Sequence, residues 1–109
     1  MGTGLWRRCY TDCVTAARAA PVLDPLLPQV RSIAEASQAR WPSDSLDVPS
    51  DAAGREAYER LRRVQQAFRE SAYRSRMAVV ATCPDDRQRQ QTLSQGAVAD
   101  AVRGLQSLP

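Results

Sequence analysis

Three cysteines have the most evident capacity for chemistry in this chain, and two of them, Cys9 and Cys13, stand four residues apart. On a helix that spacing puts both thiols on one face, as redox chemistry or metal binding would need. The chain has no histidine, so it lacks the commonest general base and the commonest nitrogen ligand. With Cys83 as the third cysteine, a four-thiolate zinc site is impossible. We expect no metal site and no enzyme, and interpret Cys9 and Cys13 as small buried apolar residues rather than as a thiol active site.

Arginine supplies all fifteen cationic side chains, a bias that a GC-rich genome explains better than selection for guanidinium chemistry does. The net charge is only +3, but seven arginines and three glutamates fall between Arg55 and Arg76. This segment is a candidate surface for an acidic partner. It also suggests an arginine-rich helical module that binds nucleic acid. We expect no nucleic-acid partner, because the glutamates interrupt the cluster and no RNA-binding aromatic motif or zinc finger accompanies it.

Apolar spacing predicts helices at about residues 3–20, 23–34, 51–82 and 84–107, with a Pro-, Ser- and Asp-rich loop at 40–51. No segment alternates as a half-buried strand does. A length of 109 residues indicates one domain, 1–109, with an insertion at 21–51. We therefore expect an all-α fold of three principal helices and one short helix, joined antiparallel. No apolar run approaches the roughly 20 residues of a membrane span.

The last predicted helix carries apolar positions at a helical spacing. We expect it to bury Leu93, Ala97, Ala101 or Val102, and Leu105. Gly96, inside the same helix, costs up to about 1 kcal/mol relative to alanine, so we expect another group to approach closely there.

Three segments lie in order on the three principal predicted helices: Leu5-Trp6-Arg7 at the start of the first, "VQQAFRES" at 64–71 and "TLSQGAVADAV" at 92–102. Together they resemble the LYR-motif family of small mitochondrial proteins. Trp6 stands where the family has tyrosine, Gln65 where an arginine is common, and the 21–51 insertion is longer than usual.

The resemblance implies an antiparallel three-helix LYR-type bundle, with a short extra helix in the insertion, that binds mitochondrial acyl carrier protein. No cofactor is bound directly; the partner supplies an acyl-4'-phosphopantetheine that enters between the helices. The residues implied in carrier binding are Leu5, Trp6, Arg7, Arg63, Phe68 and Arg69. Those implied in an acyl-chain channel are Cys13, Ala17, Ala72, Gly96 and Ala97. Arginine suits the binding of an acidic carrier protein, because its planar guanidinium pairs well with carboxylates and phosphates.

The resemblance leads us to expect a non-enzymatic accessory subunit or assembly factor of a mitochondrial respiratory complex, with complex I as the first choice. Its place would be the matrix side of the inner membrane, among the subunits of that complex. The arginine-rich amphipathic first helix is also typical of a mitochondrial targeting segment, although an ordinary amphipathic helix of the core has the same pattern. An adaptor in iron–sulfur delivery or in mitoribosome assembly is the alternative within the same family.

Overall fold

The structure, a computed structural model, describes residues 4–106, and these contain helices and no strand. The elements are α1 (Leu5–Ala19), a 3-10 helix (Pro21–Leu26), α2 (Leu27–Arg40), α3 (Ala52–Val80) and α4 (Pro84–Gln106). The predicted all-α fold class is confirmed. Thr3 and Ser107, where the first and last helices were expected to begin and end, lie outside the described residues.

Local sequence accounts for the helix ends. Pro21 follows Ala20, the C-cap residue of α1, and its ring disfavours helical geometry in the residue before it. Asp51 caps α3, because its Oδ1 accepts a hydrogen bond from the amide of Ala53 at 3.0 Å. Pro84 opens α4, where a missing amide hydrogen costs little, and Asp85 and Asp86 place negative charge in the first turn.

Four helices pack together, and the expected three-helix arrangement is not confirmed. α2 runs antiparallel to α1, since Trp6 meets Trp41 while Tyr10 lies near Arg31. Because α2 makes this extra pass across the bundle, α1 and α3 run in the same direction: Trp6 stacks edge-on against Tyr58, and Asp12 meets Arg69 further along. The antiparallel expectation is therefore wrong for α1 and α3.

α3 is the central helix, since it packs against both α1 and α4. At about 1.5 Å per residue its 29 residues span about 44 Å, which accounts for most of the 48 Å length of the molecule. α4 returns antiparallel along α3, because Ser94 faces Ser71 while Gln90 accepts a hydrogen bond from Arg74 at 3.1 Å. α1, with 15 residues, covers only part of α3.

The core lies where the four α-helices and the 3-10 helix meet. Its largest fully buried side chains are those of Trp6, Phe68, Leu23, Leu61, Val30 and Val64. The expectations for α4 hold for Ala97, Ala101 and Leu105, which are buried. Leu93 is 42% exposed, so the prediction that it is buried is wrong. Ser94, one position along, takes the inward place and hydrogen-bonds Ser71 across the α3–α4 interface at 3.0 Å.

Candidate docking surface on helices α1 and α3

The loop at 41–51 holds the start of α1 in place. The amide of Leu5 donates a hydrogen bond to the carbonyl of Ser45 at 2.8 Å. The indole Nε1 of Trp6 donates to the carbonyl of Trp41, also at 2.8 Å. Gly4 is buried under the same loop, where a Cβ would lie 1.8 Å from the carbonyl oxygen of Ser43. Only glycine therefore fits this close approach.

A second indole ties the loop to the start of α3. Nε1 of Trp41 donates to Oδ2 of Asp51 at 3.0 Å, while the other oxygen of the same carboxylate caps α3. These hydrogen bonds, first from Trp41 and then from the backbone amide of Ala53, lower the pKa of Asp51 below its usual value. The insertion is thus bonded to the first turns of both α1 and α3.

Some of the residues that the resemblance implies in carrier binding are buried by this packing, and the others are exposed. Leu5, Trp6 and Phe68 are buried, and Phe68 has no exposed surface. In this conformation they are core residues. The arginines Arg7, Arg63 and Arg69 are exposed.

Four exposed arginines of α3 recur at intervals of seven residues: Arg55, Arg62, Arg69 and Arg76. Seven residues complete two helical turns to within about 20°, so these side chains form one line along the helix. The line covers 21 residues, or about 32 Å at 1.5 Å per residue. We call it the arginine row. Arg63 lies about 100° further round the helix, on the neighbouring face and outside the row.

Asp12 of α1 lies beside the middle of the arginine row. Its Oδ2 accepts hydrogen bonds from the Arg69 guanidinium and from the amide nitrogen of Gln65. Its Oδ1 lies 3.5 Å from Nε of Arg8, one turn earlier on α1. Three polar side chains from two helices thus converge on one carboxylate. The side chain of Asp12 is 19% exposed, so solvent only partly screens this cluster.

Arginines dominate the charge around this cluster. Arg62 and Arg76 form no ion pair with the described part of the chain. The sequence places Glu59 one turn from both Arg55 and Arg62, and it too makes no ion pair there. Because unpaired guanidinium groups keep their capacity for bidentate hydrogen bonds, the row presents donors suited to carboxylates or phosphates.

Of the residues implied in an acyl-chain channel, four are buried and one is exposed. Cys13, Ala17 and Ala72 are buried together in the main core cluster with Trp6 and Phe68. Ala97 is buried on α4. Gly96 is exposed, and a Cβ there would meet nothing within 4 Å, so the expected close approach at this glycine is wrong.

The two buried thiols are held in the protonated form. Burial, with a further contribution from Asp12, raises the pKa of Cys9 to about 11. Burial, followed by the neighbouring Cys9, raises the pKa of Cys13 to about 12. Since the thiolate is the nucleophile, both side chains are poorly reactive in this conformation. Cys83 is exposed, and none of the three cysteines forms a disulfide.

A second surface feature is a half-open groove of about 370 Å³ between α1 and α2. Arg7 and Tyr10 line one side of it, and Arg31 and Glu35 line the other. Arg31 is paired with Glu35 at 2.9 Å, so Arg7 is the arginine of this groove that carries no ion pair within residues 4–106. Of the Leu-Trp-Arg start, only this arginine reaches solvent.

Neither metal chemistry nor membrane crossing receives support from the described residues. No group of three potential metal ligands occurs among residues 4–106. Within the same range no helix is long and apolar enough to cross a membrane.

Comparisons with family models, curated proteins and solved structures return no match to this chain. The site is therefore defined by its own geometry.

Sequence reasoning missed the two features that organise this surface. The spacing of seven is visible in the sequence, but it was obscured by the other arginines of the same segment, such as Arg63. The contact between Asp12 and Arg69 joins residues 57 positions apart, and no local pattern signals it. Gln65 is buried, with 8% of its surface exposed. In the sequence it stands out only as a departure from the LYR pattern. Its role here is to donate a hydrogen bond to Asp12.

Proposed function

We propose that this protein is a non-enzymatic adaptor that docks an acidic protein on the arginine row. The partner that the LYR resemblance suggests is acylated mitochondrial acyl carrier protein, and the setting is a respiratory complex, complex I in the first place, at the matrix side of the inner membrane. The observation that carries the proposal is the line of four exposed arginines on α3, with a single aspartate, Asp12, bonded among them.

The spacing of the row favours an extended acidic surface over a small ligand. Successive arginines of the row are about 10.5 Å apart along the helix, the distance covered by seven residues of any α-helix. An acidic helix lying beside α3 would meet each guanidinium with a carboxylate at the same interval. Opposed charges of this kind accelerate association and fix the orientation of the partner.

The acyl chain would occupy the core between α1, α3 and α4. Small side chains, including Cys13, Ala17 and Ala72, line part of this region. An acyl chain that enters there would have to displace little side-chain volume. Each methylene buried there contributes about 0.8 kcal/mol. Arg7, exposed in the groove between α1 and α2, is a further cation at the N-terminal end of the bundle.

Titration calorimetry with recombinant acyl-loaded mitochondrial acyl carrier protein tests this function. We expect a one-to-one complex that weakens with added salt. Arg62→Glu should reduce its affinity about tenfold or more, because reversal replaces an attraction with a repulsion. Arg103→Glu is the matched control, since Arg103 is an exposed arginine paired locally with Asp100 on α4. The proposal fails if no binding occurs at low salt, or if both variants weaken binding equally.

Two alternatives use the same surface. An adaptor in iron–sulfur delivery or mitoribosome assembly would dock the same carrier and differ only in its client. A nucleic-acid-binding module is favoured by the regular spacing of the row, which would present guanidinium groups to phosphates. It predicts affinity for DNA or RNA that falls steeply with salt. A fluorescence anisotropy titration with a mixed-sequence duplex and a single strand at low salt excludes this alternative if neither binds.

A further inference from the structure

The carboxylate of Asp12 occupies the position at which an acidic partner would meet Arg69. It bonds Arg69 and Gln65 of α3, and Arg8 of its own helix approaches its other oxygen. Of the four arginines in the row, Arg69 is the one whose ion pair reaches another helix. Asp12 therefore links α1 to α3 through polar contacts, and these contacts occupy one of the two central arginines of the row.

The buried side chains of α1 that follow Trp6 are all small. They belong to two cysteines and two alanines: Cys9, Cys13, Ala16 and Ala17. Small side chains bury little apolar area, so this half of the helix is attached less strongly than the tryptophan end. Loss of the hydrogen bonds of Asp12 would therefore weaken the attachment of α1 where its apolar contact is smallest.

We propose that Asp12 is an intramolecular competitor for the docking surface: it keeps Arg69 occupied and α1 closed over α3 until an acidic partner displaces it. This inference rests on the proposed function for the identity of the partner. When carboxylates of the partner bind Arg69, Asp12 loses its ion pair with that arginine. Helix α1 then separates from α3. The core at Cys13 and Ala72 then opens at the moment when an acyl chain is delivered. Docking and opening are coupled by the exchange of one carboxylate for another.

Two variants separate this role from a simple contribution to stability, because they break the same contact from opposite sides. Asp12→Asn removes the competing charge and leaves the arginine row intact. Arg69→Gln removes an arginine of the row and leaves Asp12 in place. Both should open α1, whereas their effects on binding should have opposite signs. Asp86→Asn is the control, since Asp86 pairs with Arg89 on the exposed face of α4.

Buried thiols report the opening without any partner. In a Cys83→Ser background, the reaction of Cys9 and Cys13 with a disulfide reagent at pH 8 measures how often α1 leaves α3. We expect Asp12→Asn and Arg69→Gln each to accelerate this reaction about five- to tenfold, as expected for a partly buried charged hydrogen bond, and Asp86→Asn to leave it unchanged. Circular dichroism verifies that each variant retains its helix content.

Binding is measured with two probes, poly-L-glutamate and acyl-loaded mitochondrial acyl carrier protein. We expect Asp12→Asn to bind both probes more tightly than the original chain, and Arg69→Gln to bind both more weakly. If thiol reactivity is unchanged in Asp12→Asn, or if both variants weaken binding, the competition is refuted. If the opposite signs appear with poly-L-glutamate while the carrier does not bind at all, the competition stands and the carrier is the wrong partner.

Discussion

Truncation of Phe68 tests most sharply whether the middle of α3 is core or contact surface. Phe68 has no exposed surface and packs in one cluster with Trp6, Cys13 and Ala72. Phe68→Ala should therefore destabilise the fold by about 3–5 kcal/mol, the usual range for a fully buried phenylalanine. A chain of 109 residues has about 5–16 kcal/mol of total stability, so this loss is a large fraction of it.

Urea unfolding followed by circular dichroism at 222 nm measures the effect. With an m-value of about 1.5 kcal/mol/M for a chain of this size, the midpoint should fall by about 2–3 M. Phe68→Leu keeps most of the volume and should cost only about 1–2 kcal/mol, which leaves a folded protein for comparison. Leu93→Ala is the control at an exposed position of α4 and should stay within about 0.5 kcal/mol of the original chain. A loss below about 1 kcal/mol for Phe68→Ala would refute its assignment to the core.

The remaining predictions concern the packing at two glycines and the state of the thiols. Gly96→Ala should stabilise α4 by up to about 1 kcal/mol, because alanine is the better helix former and its methyl group meets nothing. Gly4→Ala should destabilise, because its methyl group would overlap a backbone oxygen of the loop. At pH 8 Cys83 should react with a disulfide reagent at once, and Cys9 and Cys13 only on opening or unfolding. Between pH 9 and 11 stability should fall by up to about 1.4 kcal/mol per pH unit for each buried thiol, because the unfolded thiols lose protons there before the folded ones do. The double variant Cys9→Ala, Cys13→Ala should lack this slope, and an equal slope would contradict burial.

The helical architecture was predictable because its signals are local. Pro21, the Asp51 cap and Pro84 mark helix ends in the sequence, and each lies at the expected place in the structure. The apolar spacing likewise places Leu61, Val64 and Phe68 on the buried face of α3. Local chemistry and tertiary packing agree at these positions.

The arrangement of the helices was less predictable because it depends on distant contacts. The Pro-, Ser- and Asp-rich loop contains Trp41, whose carbonyl binds Trp6 and whose indole binds Asp51. Through these bonds the insertion covers the Leu-Trp-Arg start, so two of its three residues are buried rather than free for a partner. On α4, a serine rather than Leu93 faces α3, because Ser94 finds hydrogen-bond partners across that interface. Apolar periodicity alone does not reveal such polar contacts.

Native mass spectrometry of the tagged chain, isolated in intact assemblies from cells that express it, tests the proposed function most directly. The account predicts a complex whose mass equals this chain plus one acyl carrier protein with its phosphopantetheine and fatty acyl group, alone or within a larger assembly. It also predicts that a charge reversal at Arg62 and Arg69 together removes the carrier from the complex. Recovery of the chain in native assemblies that contain no phosphopantetheine-bearing protein, or recovery of the carrier undiminished by that reversal, would contradict the account.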